Sequence, residues 1–361
     1  MITDREHRSF SNTRIGSNAA ELYTGAQMPY VGLGTWKAAP GEVEKAIGTA
    51  VRDAGYRHLD CAACYGNEAE IGVALVECWT SGLSREEIFI TSKLWNSNHG
   101  PENVEAACRQ TITELQLNHT DATSKEHPDG YLDLYLVHWP QAFEFVAGSN
   151  RAFPRNEDQS MRYDLETSLL DTWRAMEKLV ELGLCKHIGL SNFNSQQIIS
   201  ICDNAQIQPA VLQVESHPYF QQEPLFTLCK SKNIVCTAYS PLGSGASFGG
   251  NTVVSNPVLA GIGAASNRSA AQVALSWQVQ RGIVVIPKSV KEERIYQNNV
   301  CVEEFGMKLS DADMANIRAL DENTRGANGW GGPMVERNGS ARPRDELHPN
   351  YPFNKDDPTV F

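Results

Sequence analysis

YLDLYLVHW, Tyr131 to Trp139, is a short apolar run rich in β-forming residues, and a segment of helical period over Leu169–Leu182 follows it. The same alternation extends in both directions. Upstream, strands are read at YVGLGTW (30–36), YRHLD (56–60) and EIFITSKL (87–94). They are followed by helices over 42–55, 67–79 and 101–117, the first closed by glycine and the last opened by proline. Downstream, KHIGLS (186–191), AVLQVES (210–216), NIVCTAYS (233–240) and IVVIPKS (283–289) alternate with helices over 195–204, 224–232, 269–282 and 291–300. Eight such units without a domain break fit an α/β fold closed as a (β/α)8 TIM barrel. The expected organisation is a polar N-terminal tail (1–20) and a single barrel domain over 21–361. From about Asn323 the chain is rich in Gly, Pro and Asn and reads as an irregular C-terminal tail over the active-site face, while NHTDATSKEHPDG (118–130) reads as an exposed hydrophilic loop.

Composition narrows the function. The 361 residues are 41% hydrophobic and 20% charged, an ordinary balance for a protein with a sizeable core. A net charge of −12 argues against nucleic acid or anionic membrane as a general partner. The polar start MITDREHRSFSNTRIGSN is no signal peptide, and no apolar run approaches membrane-spanning length. The nine cysteines are therefore expected to be reduced thiols in a cytoplasmic protein.

DCAACYGNE (60–68) is the stretch that invites a metal or redox reading, because Cys61 and Cys64 have dithiol spacing. A zinc site needs four ligands and no second pair occurs; a redox dithiol places its first cysteine at a helix N-terminus, whereas Cys61 follows a strand. The cysteines are read as small buried hydrophobes and no metal is expected.

Barrel active sites form at the C-terminal ends of the strands. Trp36, Asp60, Lys93, His138, Asn192, Gln213, Tyr239 and Lys288 each stand at or just after such an end. Asp60, Tyr65, Lys93 and His138 would converge on one mouth. An ammonium stabilises a phenolate and lowers the tyrosine pKa, a carboxylate holds the ammonium, and a histidine can orient a carbonyl oxygen. The set suits protonation of an oxygen while hydride reaches carbon, and it supplies no nucleophile for acyl transfer. A hydride carrier is needed, but no G-x-G-x-x-G follows a strand: GLG (32–34) lacks the third glycine, and GSGASFGGN (243–251) reads as a flexible loop. Lys288, Ser289 and Arg294 in IPKSVKEERIYQNN straddle a strand end and a helix start, which favours a phosphate; the same segment also reads as an ordinary mixed-charge helix.

From about Leu22 to Asn354 the sequence resembles the aldo-keto reductase superfamily. GYRHLDCAACYGNE, FITSKLWN, LDLYLVHWP, GLSNFN, LQVESHPY, AYSPLGS and IPKSVKEERIYQN are similar to its signature segments and occur in its order. The resemblance implies an NADPH/NADP+ cofactor, with Tyr65 as general acid, Lys93 and Asp60 as its tuning pair and His138 as carbonyl orienter. It places the nicotinamide carboxamide on Ser191, Asn192 and Gln213, the ring against Tyr239, and Thr35 and Trp36 beside the cofactor. Ser240, Leu242 and Ser244 of the SPLGS loop would follow the pyrophosphate. Lys288, Ser289 and Arg294 would grip the 2′-phosphate, with Gln297 and Asn298 near the adenine. Trp36, Trp95, Trp139 and Phe143 would line an apolar substrate pocket.

HWPQAFEF and RPRDELHPNYPFN (342–354) resemble the family's aldehyde-reductase branch, where Arg344 would match an arginine that binds acidic substrates such as glucuronate. The implied partner is a small aldehyde or ketone, with no obligate protein partner and a monomeric state. The short Gly/Ser-rich loop after Tyr239 and the stretch 324–341 depart from the family pattern. Two enzyme alternatives on the same scaffold are a sugar or polyol reductase and a glycerol dehydrogenase. A third reading is a non-catalytic NADPH-binding partner protein, against which the complete catalytic set argues. A metal-dependent barrel hydrolase would need more His and Asp at strand ends than Asp60 and His138.

Overall fold

The structure, a computed structural model, describes residues 18–119, 127, 129–246, 250–301, 306–326, 334–337, 340–343, 345–346 and 348–353. The expected strands are those that form: β3 (Leu33–Gly34), β4 (His58–Asp60), β5 (Phe89–Leu94), β6 (Leu132–Val137), β7 (Cys185–Ser191), β8 (Val211–Glu215), β9 (Val235–Tyr239) and β10 (Val284–Val285). They follow β1 (Ala19–Glu21) and β2 (Gln27–Pro29) and lie in sequence order in one sheet, each pair parallel. The sheet closes on itself where Val31 and Gly34 bridge in parallel to Val285 and Lys288. Closure brings the chains so near that a Cβ at Gly34 would stand 2.7 Å from the Ile286 carbonyl oxygen, so the seam requires glycine there.

A closed parallel sheet is buried on both faces, which is why these strands are apolar almost throughout. Leu134, Leu136, Val211 and Val284 fill the barrel interior, while Ile90, Tyr135, Val137 and Leu212 pack outward against the helices. The outer layer comprises α1 (Glu42–Gly48), α2 (Glu68–Thr80), α3 (Pro101–Glu114), α4 (Leu169–Glu181), α5 (Ser195–Asn204), α6 (Glu223–Ser231), α7 (Pro257–Ala264), α8 (Ala270–Gln280), α9 (Glu292–Asn298) and α10 (Asp311–Arg318). Side chains set several starts: Ser168 with Asp171, Asn194 with Gln197, and Ser269 with Gln272 form reciprocal capping boxes.

Four features differ from the sequence reading. The polar tail assigned to 1–20 ends earlier, because Ala19 and Ala20 enter β1, which pairs antiparallel with β2. Ala20, Leu22 and Met28 of this hairpin close the N-terminal end of the barrel against Leu134 and Val284. The helix expected over 42–55 is α-helical only to Gly48 and finishes as a π-turn over Thr49–Asp53. Helices α7 and α10 add to the eight units and share an apolar cluster with Trp277 of α8. The tail read as irregular contains an antiparallel pair, Met334–Arg337 with Ser340–Pro343.

Glu68, the first residue of α2, is fully buried and accepts hydrogen bonds from Ser92 Oγ at 2.5 Å and Thr111 Oγ1 at 3.1 Å. Burial pushes its carboxyl up to about 7, against the pull of the Ser92 hydroxyl. A carboxyl raised in the folded state contributes stability below its unfolded value that is lost as pH rises through the folded one. Between about pH 5 and pH 9, wild type should therefore lose roughly 2 kcal/mol relative to Glu68→Gln. Denaturant unfolding at both pH values measures this, and a pH-independent difference would refute the shift.

Candidate active site

The strand register brings the expected residues to one level. Gly34 pairs with Asp60, Asp60 with Thr91, Lys93 with Leu136 and Ser191 with Gln213, so all stand at the C-terminal rim. After Asp60 the chain makes a tight turn over Ala63–Tyr65 and reverses at Gly66, whose φ of 71° suits glycine, before entering α2. This turn sets Tyr65 over the rim. Thr35 holds it from beside: its Oγ1 donates to the Asp60 carbonyl oxygen at 2.8 Å, and its own carbonyl accepts from Asn67 Nδ2 at 3.0 Å.

At the centre is a buried ion pair. Lys93 Nζ lies 2.8 Å from both carboxylate oxygens of Asp60, donates to the Cys61 carbonyl at 2.8 Å and reaches Tyr65 Oη at 3.3 Å. Gln213 Nε2 adds a bond to Asp60 Oδ1 at 2.8 Å. An ammonium only donates, so the Tyr65 oxygen is the acceptor and its own hydrogen is left for the cavity. Burial pushes the Tyr65 phenol well above its ordinary value, and the Asp60 carboxylate adds to the rise. The lowering by Lys93 expected from sequence does not prevail over burial and the Asp60 carboxylate. Tyr65 is thus a protonated phenol beside a cation.

His138 follows β6, its backbone N–H bonded to Leu94 and its carbonyl to Asn192 Nδ2. Burial, seconded by Lys93, holds its imidazole well below the usual histidine range, so it is neutral. Its ring lies edge-on to Tyr65, at 5.8 Å between centroids, and to Trp95, at 5.4 Å.

These groups surround a cavity of about 330 Å³. Asp60, Tyr65, His138, Ser191, Asn192 and Gln213, at the strand ends, line its floor; Tyr239, Ser240, Leu242, Ser244, Trp36, Trp139 and Lys288 line the rest. Tyr239 Oη donates to Asn192 Oδ1 at 2.8 Å. Trp95 and Phe143 are not in the lining; they back it in a buried cluster with Trp139 and Met161. Lys93 and Thr35 lie beneath the floor. Outside the cavity, Ser289 bonds within its own turn to Lys291, Arg294 is exposed, Gln297 Nε2 is bonded to Glu293 at 3.1 Å, and Asn298 is buried. Arg344 lies outside the described residues.

The sequence reading missed several participants. Lys37 lines the mouth, its ammonium 4.0 Å from the centre of the Trp36 ring, and adjacency to Trp36 was the available signal. The described end of the tail lies on this face: Phe353 packs edge-on against Trp139 at 5.9 Å, and the Arg325 guanidinium stacks 3.7 Å from the centre of the Phe353 ring. No sequence pattern announces that contact. The thiols of Cys61 and Cys64 are both pushed up by burial and remain free.

Chemically, the arrangement could give a proton to an oxygen and meet the charge left behind with a cation, which would be one half of a carbonyl reduction. Residues 30–322 match the aldo/keto reductase family. The chain is 47% identical over 345 residues to aldo-keto reductase family 1 member A1 of Gallus gallus, covering 94% of this chain and 98% of that one. It is 48% identical over 339 residues to the protein of the same name from Xenopus tropicalis, covering 92% and 96%. Aldose reductase from Schistosoma japonicum superposes with a TM-score of 0.80 at 38% identity, covering 94% and 99%. The chain belongs to the aldo/keto reductase family. It is an oxidoreductase that works on carbonyl compounds with a nicotinamide cofactor.

Removing one partner of a buried ion pair leaves an uncompensated charge. Lys93→Met should accordingly cost about 3–5 kcal/mol of unfolding free energy, and adding Asp60→Asn should recover most of it. Thermal denaturation of the single and double variants tests this; equal stabilities of the two would show that the pair is not coupled.

Proposed function

We propose that the protein reduces aldehydes, aromatic, aliphatic and sugar-derived such as D-glucuronate, to primary alcohols with NADPH. The observation that carries this reading is the Lys93–Tyr65 contact of 3.3 Å beside His138 in one cavity.

The residues present fit a nicotinamide cofactor. Ser191, Asn192 and Gln213 offer a hydroxyl and two amides on the floor, a donor and acceptor set suited to a carboxamide, and the Tyr239 ring gives a flat wall suited to stacking. Ser240, Leu242 and Ser244 line the cavity beyond Tyr239, with Trp36 also in the lining and Thr35 buried beside Asp60. Lys288, Ser289 and Arg294 supply the cations and hydroxyl for a 2′-phosphate, with Gln297 and Asn298 toward the adenine; this assignment favours NADPH over NADH. When bound, the cofactor supplies the hydride.

The chain's own residues do the rest. His138 donates a hydrogen bond that orients the substrate oxygen. Tyr65 transfers its phenolic proton to that oxygen, and the phenolate left behind is stabilised by Lys93, which Asp60 and Gln213 hold in place. Trp36 and Trp139, with Trp95 and Phe143 behind them, keep the site apolar and exclude water. The resemblance adds Arg344 as partner for a substrate carboxylate. Cytoplasmic location and action as a monomer without an obligate protein partner belong to the same reading. Among the described residues no helix is long and apolar enough to cross a membrane.

NADPH consumption with D-glucuronate and with an uncharged aromatic aldehyde tests the proposal. Wild type should turn over both, and Tyr65→Phe should lose about a hundredfold or more with each. NADPH binding by Tyr65→Phe, read by fluorescence, should stay within about twofold of wild type, because the hydroxyl acts on substrate. Equal loss of binding and turnover would sink the acid assignment.

Arg294→Ala should weaken NADPH binding about tenfold and leave NADH binding unchanged. An unaltered preference between the two cofactors would refute the 2′-phosphate role.

A further inference from the structure

Cys64 departs from the packing role that the sequence suggested. Its Sγ stands 3.5 Å from Nδ1 of His138, a hydrogen-bond distance for sulfur. The thiol is half-buried beside the Trp95, Trp139 and Phe143 cluster, and it is not among the residues that line the cavity. Nδ1 is therefore turned into the wall, and the other ring nitrogen has no hydrogen-bond partner among the described residues. A neutral imidazole carries one N–H, and which nitrogen carries it is fixed by the partner of the other.

We propose that Cys64 is a positioning residue for His138: its S–H donates to Nδ1 and holds the ring in the tautomer whose Nε2–H faces the cavity. The direction of the bond follows from the chemistry of the two groups. Burial keeps the thiol protonated, so a hydrogen is available to donate, and a thiol sulfur is a weak acceptor for the reverse arrangement. The same burial keeps the imidazole neutral, so Nδ1 has a lone pair to accept it. In the opposite tautomer Nε2 would present a lone pair to a carbonyl oxygen, a repulsive contact. The consequence for turnover rests on the proposed aldehyde reduction; the tautomer does not.

The test is carried out on full-length protein labelled with 15N-histidine, with the His138 signals assigned by their loss in His138→Gln. Long-range 15N–1H spectra near neutral pH should show Nε2 protonated and Nδ1 bare in wild type. Cys64→Ala should move His138 toward a mixture of tautomers and lower kcat/KM for an uncharged aromatic aldehyde about three- to tenfold, the range of one net hydrogen bond. NADPH binding should be unchanged. Cys64→Ser, which keeps a donor, should restore both the spectrum and most of the activity.

A wild-type His138 protonated on Nδ1 would overturn the proposal, and so would an unchanged spectrum and turnover in Cys64→Ala. The wild-type spectrum decides the bond direction even where the alanine variant does not fold. A wild type with the expected tautomer and no aldehyde turnover would support the assignment and overturn the functional reading alone.

Discussion

The buried Lys93–Asp60 pair is the constraint from which the mouth of the barrel is built. An ammonium with no exposed surface is tolerated only where every donor is met, and here the acceptors come from the end of β4, the Cys61 carbonyl and the Tyr65 oxygen. Asp60 is itself held by Gln213 from the far side of the barrel. Strands that are neighbours and strands that are not must therefore be in register for one charge to be satisfied. Because the ammonium can only donate, the pair also decides where the phenolic hydrogen of Tyr65 points. A network of this kind fixes geometry more than it adds stability.

The barrel was legible because a parallel strand buried on both faces leaves an apolar run between turn residues, and such runs recur from Tyr30 to Ile286 with helical periods between them. The floor of the site was legible for a related reason: polar residues that interrupt those runs at their C-terminal ends, such as Lys93, Asn192 and Gln213, have no structural excuse there. What failed was whatever depended on neighbours distant in sequence. The β1–β2 hairpin is held by the barrel bottom and not by its own three-residue strands. Helix α7 is eight residues, half of them glycine or alanine, and contact with α8 and α10 makes it part of a core. The direction of the Tyr65 shift was misjudged because the charge on Lys93 was weighed and the burial of the phenol was not. Cys64 looked inert because spacing to another cysteine was weighed, and proximity to His138 is invisible along the chain.

The C-terminal tail is fastened to the rim of the barrel through the start of α5. Asn194 and Gln197 form the capping box of α5 with their oxygens, and with their remaining N–H groups they reach the carbonyls of Pro352 and Asn350 at 3.3 and 3.0 Å. Two side chains thus start a helix and clamp the tail at once. The clamp grips backbone carbonyls, which every residue type presents, so this part of the anchoring does not depend on which side chains the tail carries. Tyr163 adds a bond to Asp345 at 2.8 Å, and His348 is buried edge-on to Tyr163. Phe353 faces Trp139 at the end of this anchored segment. On the proposed reading this separates the two tasks of the site physically: the proton-transfer geometry is locked into strand ends by buried charge, and the outer wall that meets the rest of the substrate is held partly through its backbone and partly through Asp345 and His348.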